Sequence, residues 1–197
     1  MAKVKFKCMN RALIIIMLVT ATAFCANAQS AKPAEAFIPN GYEKRIFETG
    51  DLNQDKIPDA ILILTKKNEV DFSMEKPAKR PLIILFGKGN NKYVQAGRND
   101  NAVLCYHCGG AFGDPLENVV IKNGYFSIEH YGGSRERWSR IITFKYNTRD
   151  KNFYLHKDGT SVIDNTDLER DIPDKIKTTK DFGTIRFEKF NVYKYTY

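Results

Sequence analysis

Asp51, Asn53, Asp55 and Asp59 fall in the run Gly50-Asp51-Leu52-Asn53-Gln54-Asp55-Lys56-Ile57-Pro58-Asp59, a D-x-N-x-D-x-x-x-D spacing. Alternate residues of a tight loop point the same way, so Asp51, Asn53 and Asp55 can converge on one point. The backbone carbonyl of Ile57 takes the next inward place, and Asp59 closes the loop. Calcium is a hard cation that takes six to eight oxygens at about 2.3–2.6 Å, and this set supplies oxygens of that kind. Without a cation, three carboxylates within a few ångströms repel one another, and Lys56 relieves that only in part. The same residues also suit a polar turn capped by its own Asx hydrogen bonds. An EF-hand would place Glu at the twelfth position and a helix after it; here the twelfth residue is Leu62, inside an apolar run.

Three weaker sets of residues could carry other chemistry. Cys105-Tyr106-His107-Cys108 has C-x-x-C spacing. In an exported chain an even pair reads as a structural disulfide. A thiol redox site would need the first thiolate at a helix N-terminus, and zinc would need two further ligands. His130-Tyr131-Gly132-Gly133-Ser134-Arg135-Glu136-Arg137-Trp138 is the best candidate for a recognition surface. Its His130, Tyr131, Arg135, Arg137 and Trp138 are of the types that dominate binding hot spots. The same stretch also reads as ordinary strand-end structure. Ser134 beside His130 invites a hydrolase reading, but there is no G-x-S-x-G elbow and no assigned acid. The Gly-rich run after Cys108 matches no phosphate-binding motif and reads as a tight stapled loop.

The elements that position these residues read as strands and turns. Candidate strands are Tyr42–Glu48, Ala60–Leu64, Pro81–Phe86, Lys92–Ala96, Asn118–Lys122, Tyr125–His130, Trp138–Tyr146, Asn152–His156 and Gly183–Phe190. Ala60–Leu64 and Pro81–Phe86 are continuous apolar runs, as expected of strands buried on both faces. Trp138–Tyr146 alternates instead. Asn123-Gly124 between two runs is a hairpin turn signal. The stretch Asn99–Pro115 reads as a long ordered loop, Val70–Lys79 as a charged excursion, and Asp164–Arg170 as room for one helical turn. No long stretch has helical periodicity. The expected fold is mainly β, with antiparallel sheets and hairpins around one core, as a small sandwich or a partial-propeller-like domain.

The N-terminus has the order of a secretory signal peptide. Lys3, Lys5, Lys7 and Arg11 precede the apolar run Ala12–Phe24, and Ala26-Asn27-Ala28 is a small-x-small cleavage triplet. The apolar run is shorter than the roughly 20 residues that span hydrocarbon. Cys25 follows Phe24 rather than the small residue a lipobox needs. The expected organisation is a signal peptide over 1–28, a flexible leader over 29–40 and one mainly-β domain over 41–197. The protein would then be periplasmic or secreted, with no transmembrane span after cleavage. Removal of residues 1–28 halves the formal net charge from +8 to +4. No polybasic block remains, which argues against nucleic acid as a partner. A cell-envelope or extracellular ligand is the expected partner.

Gly50-Asp51-Leu52-Asn53-x-Asp55-x-x-Pro58-Asp59, followed by Ala60-Ile61-Leu62-Ile63-Leu64, resembles the FG-GAP/VCBS repeat of integrin-α-type β-propellers and many exported bacterial proteins. Pro81–Tyr93 resembles the later part of such a repeat, an apolar strand, a Gly-rich turn and an aromatic. The resemblance covers residues 46–96. It implies a β-hairpin unit holding calcium through Asp51, Asn53, Asp55, Ile57 and Asp59. The family usually has Gly at the sixth position, where the backbone takes positive φ. Lys56 stands there at a cost on the order of 1 kcal/mol, which lowers the expected affinity. Only one copy is present, so a whole propeller is not expected. The sequence reading is therefore an exported calcium-binding, non-enzymatic binding or structural module. A cell-envelope glycan or peptide hydrolase and an exported C-x-x-C thiol oxidoreductase are the alternatives.

Overall fold

The computed structural model describes residues 30–68, 78–167, 169–170 and 172–194. The expected signal peptide over 1–28, most of the Val70–Lys79 excursion and the last three residues lie outside them. Strands β1 (Tyr42–Gly50), β2 (Asp59–Lys66), β3 (Leu82–Gly87) and β4 (Tyr93–Asn99) form one antiparallel sheet in chain order. Strands β5 (Leu116–Lys122), β6 (Tyr125–Gly133), β7 (Glu136–Asn147), β8 (Asn152–Asp164) and β9 (Lys175–Thr178) form a second, also antiparallel and in chain order. The fold is mainly β, as expected. Among the described residues no helix is long and apolar enough to cross a membrane.

The continuous apolar runs have a simple cause. Along β2 and β3 both faces are covered. Ile61, Ile63, Leu82 and Ile84 enter the main core, which they share with Phe126, Ile128, Ile142, Phe144, Phe153 and Leu155 of the second sheet. Ala60, Leu62, Leu64, Ile83 and Leu85 point the other way, into a smaller core with Phe37 and Tyr93. That smaller core corrects the reading of 29–40 as a loose leader. Its 3-10 turn Ala34–Phe37 buries Phe37, and Lys32 exchanges two backbone hydrogen bonds with Tyr93. Without this segment one face of β2 and β3 would meet water. The second sheet buries only one face, so β6 alternates strictly between half-exposed and buried residues.

The C-terminal segment also departs from expectation. Gly183–Phe190 is not a strand; it makes one isolated bridge, Tyr154 to Arg186, and then a 3-10 turn over Phe187–Lys189. Side chains three apart share a side in that geometry. Phe187 and Phe190 accordingly both pack on the Phe144 ring, with centroids 5.3 Å away in each case. Asn99 fixes the turn by donating to the Phe187 and Phe190 carbonyls. β9 falls inside the charged Asp164–Lys180 stretch, and β8 runs well past His156. Asp164 ends that strand, so Asp164–Arg170 begins as a turn rather than a helix.

Candidate functional site

Gly50 pairs with Asp59, so residues 51–58 are the loop between β1 and β2. The loop is built on side-chain acceptors. The Asp55 amide donates to both Asp51 Oδ1 (3.1 Å) and Asn53 Oδ1 (2.9 Å), which brings those two oxygens to one donor. Asp51 Oδ2 accepts from the Lys56 amide at 3.1 Å, and Asp55 Oδ1 accepts from the Ile57 amide at 2.8 Å. Asn53 Nδ2 donates to Asp55 Oδ2. Gln54 and Lys56 have φ of 65° and 69°, the left-handed conformation this winding demands. Gln54 Nε2 in turn donates to the Asn123 carbonyl, which seats the loop on the Asn123-Gly124 hairpin turn between β5 and β6.

Asp59 has a different place. It is fully buried, and its carboxylate accepts three backbone amides: Leu52 and Asn53 at Oδ2, and Gly87 at Oδ1. Burial raises its pKa above the ordinary carboxylate value, the three amides oppose that rise, and the Asp55 charge adds to it. Asp51, Asn53 and Asp55 are therefore drawn together, while Asp59 ties the loop to the end of β3. Among the described residues no three His, Cys, Asp or Glu side chains are arranged as a metal cage. The donor chemistry of the exposed trio still suits a hard cation. Each of the four oxygens of Asp51 and Asp55 accepts one hydrogen bond here, leaving a lone pair on each. The Ile57 side chain is exposed beside them.

Cys105 and Cys108 are joined in a disulfide that closes a turn, with the Cys108 amide on the Cys105 carbonyl. Cys105 is buried, and no helix starts at it. The glycines that follow serve backbone contact. Gly109 and Gly110 lie against Gly132 and Gly133, with hydrogen bonds from Gly133 to Gly109 and from Ala111 to Gly133. A Cβ on Gly132 would sit 2.9 Å from the Gly109 backbone.

The residues singled out between His130 and Trp138 do not form one surface. His130 and Tyr131 lie on β6, Arg137 and Trp138 on β7, and Arg135 in the turn between them. His130 is 2 % exposed. Its Nε2 accepts from the Leu104 amide, and its Nδ1 has no hydrogen-bond partner among the described residues. Burial, then the charges of Arg140 and Arg80, push its pKa down to about 3. Trp138 is half-buried against the main core. Arg135 is held by the buried carboxylate of Asp164, which Arg170 also reaches. Tyr131 and Arg137 remain outside, grouped with exposed Phe112: the Arg137 guanidinium lies 4.1 Å from the Phe112 ring centroid, and the Phe112 and Tyr131 centroids are 5.3 Å apart.

Two buried ion pairs carried no sequence signal. Arg80, wholly buried, makes a bidentate pair with Asp114, and Arg140 makes another with Asp158. In sequence they are isolated charges among other charges. A recess at the far end of β7 and β8 also went unseen; it is lined in part by Lys145, Arg149 and His156. Comparison with protein-family models, with curated proteins and with solved structures finds no match.

Proposed function

We propose that the protein is an exported, non-enzymatic binding module stabilised by one calcium ion at the 51–59 loop. The observation that carries this reading is the convergence of Asp51 Oδ1 and Asn53 Oδ1 on the Asp55 amide, with two carboxylates in an exposed loop wound through left-handed Gln54 and Lys56. Asp51, Asn53 and Asp55 would hold the ion with the Ile57 carbonyl, and Asp59 would support it chiefly by anchoring the loop. Calcium supplies charge cancellation there and no chemistry. The resemblance to FG-GAP/VCBS repeats supports the same assignment. Export follows from the order of residues 1–28, with the periplasm or the exterior as the compartment, where calcium is available to a weak site.

Neither alternative draws comparable support. A hydrolase built on His130 would use an imidazole that is buried and bonded to a backbone amide. A thiol oxidoreductase would use a buried cysteine in a turn.

Melting curves of the mature chain with calcium and with chelator test the reading. Calcium at a hundredfold its Kd adds about 2.7 kcal/mol, which raises Tm by roughly 5–10 °C for a chain of this size. Superimposed curves would overturn it.

A further inference from the structure

A recess of ≈ 430 Å³ opens between the β7–β8 hairpin and the segment around α1 (Thr179–Phe182). Small-molecule sites commonly occupy about 300–1,000 Å³. Its lining holds two permanent cations, Lys145 and Arg149, together with His156, and not one carboxylate. Among the described residues neither Lys145 nor Arg149 has an ion-pair partner, although the protein pairs many of its other arginines. Leu155 lines an otherwise polar wall of Asn147, Thr148, Thr179 and Thr184, and Tyr146 and Tyr154 complete it. Asp150, at the hairpin tip, is not a lining residue; its carboxylate accepts from the Tyr154 hydroxyl and the Asn152 backbone amide.

The Lys145 ammonium lies over the Tyr125 ring, 5.2 Å from its centroid, and two cations in a recess whose lining residues include no carboxylate favour an anion. The Tyr146 ring packs against Phe86 and Phe153, which leaves hydroxyl and amide partners beside the Tyr154 ring, a set that suits the hydroxyls and the ring of a sugar. We propose that this recess binds a saccharide carrying a carboxylate or sulfate, with Lys145 and Arg149 on the acid group. The Asn147 amide and the threonine hydroxyls would meet the sugar hydroxyls. The Arg guanidinium offers two parallel donors to a planar acid group, and the Lys ammonium adds a mobile point charge. The proposal rests on the binding-module reading and deepens it by naming a ligand class. It does not need calcium, so the melting test and the test below can fail separately.

Calorimetric titration of the mature chain with galacturonate oligomers, sulfated disaccharide, neutral galactose oligomers and inorganic sulfate decides it. One or both acidic saccharides should bind, and the one that binds tells carboxylate from sulfate. Neutral oligomers and sulfate alone should bind at least about tenfold more weakly. Lys145→Gln and Arg149→Gln should each weaken binding by about tenfold or more, the value of one charged hydrogen bond. Their melting temperatures should stay unchanged. Lys88→Gln, an exposed charge on the β3–β4 turn, should bind as the parent does. Binding of neither acidic saccharide, equal binding of the neutral one, equal binding of free sulfate, or indifference to both substitutions would each overturn the proposal.

Discussion

Asp59 and Gly87 are 28 residues apart, and the Gly87 amide donates to Asp59 Oδ1 at 2.8 Å. That bond joins the start of β2 to the end of β3. The approach is close enough that a Cβ on Gly87 would lie 2.2 Å from the Pro58 carbonyl oxygen. The carboxylate thus works as a fastener between the loop and its neighbouring hairpin, whatever the loop binds.

Asp59→Ala should therefore destabilise the protein even in chelator. It leaves buried amides of Leu52 and Gly87 without acceptors, at about 1–3 kcal/mol each. Urea unfolding with chelator present should show the loss. A variant that loses stability only when calcium is added would show that Asp59 acts as a ligand instead. Asp51→Ala should cost less in chelator, because the Asp55 and Lys56 amides it releases are exposed to water and Asp55 keeps Asn53, and it should remove the calcium increment.

Arg80 and Asp114 form a bidentate ion pair, with Nη1 and Oδ1 2.6 Å apart and no exposure of the guanidinium. Asp114 also receives Arg45. Burial alone would raise the Asp114 pKa, but the Arg80 hydrogen bond and charge outweigh it and the net shift is downward. Asp114→Asn leaves a buried cation uncompensated and should cost about 3–5 kcal/mol. The pair Arg80→Met with Asp114→Leu should cost much less. Equilibrium unfolding of the single and double variants checks both statements.

How much of this was legible follows from what each strand faces. Ala60–Leu64 and Pro81–Phe86 are legible because two apolar layers cover the strands they contain, and Trp138–Tyr146 because one does. The second half of β8 was hidden. Its inward residues there include Asp158, paired with Arg140, and Gly159 follows it, so neither an apolar run nor alternation marks the strand. The burial of His130 is hidden for the same reason, since a buried polar residue looks like a surface residue in sequence. The 51–59 loop was legible as a loop, because its acceptors bond to amides two to seven residues away. The partner of Asp59 at Gly87 was not, because it comes from another hairpin.

His130 should give the protein an acid-sensitive stability. Its pKa is about 3 in the folded protein, against about 6.5 when unfolded. Between those values the unfolded chain binds the extra proton, so stability rises with pH across this range. The contribution is whole above pH ~6.5 and falls by up to about 1.4 kcal/mol per pH unit below it. Unfolding free energy measured from pH 7 to pH 4 should show this slope. His130→Gln, which can still accept from the Leu104 amide, should flatten it. An unchanged slope would assign the acid sensitivity to the buried carboxylates.

Lys56 carries the last prediction. Its φ of 69° is a conformation that costs a non-glycine residue about 1–2 kcal/mol. Lys56→Gly removes that strain but adds freedom to the unfolded chain, which returns about 0.5–1 kcal/mol. In chelator the substitution should thus be close to neutral or slightly stabilising. It also deletes a positive charge next to Asp51 and Asp55, so calcium should bind more tightly, by a few-fold at a surface-exposed site. Calcium titration of parent and Lys56→Gly by calorimetry measures the gain. Tighter binding would place the ion beside residue 56, and weaker binding would place it elsewhere.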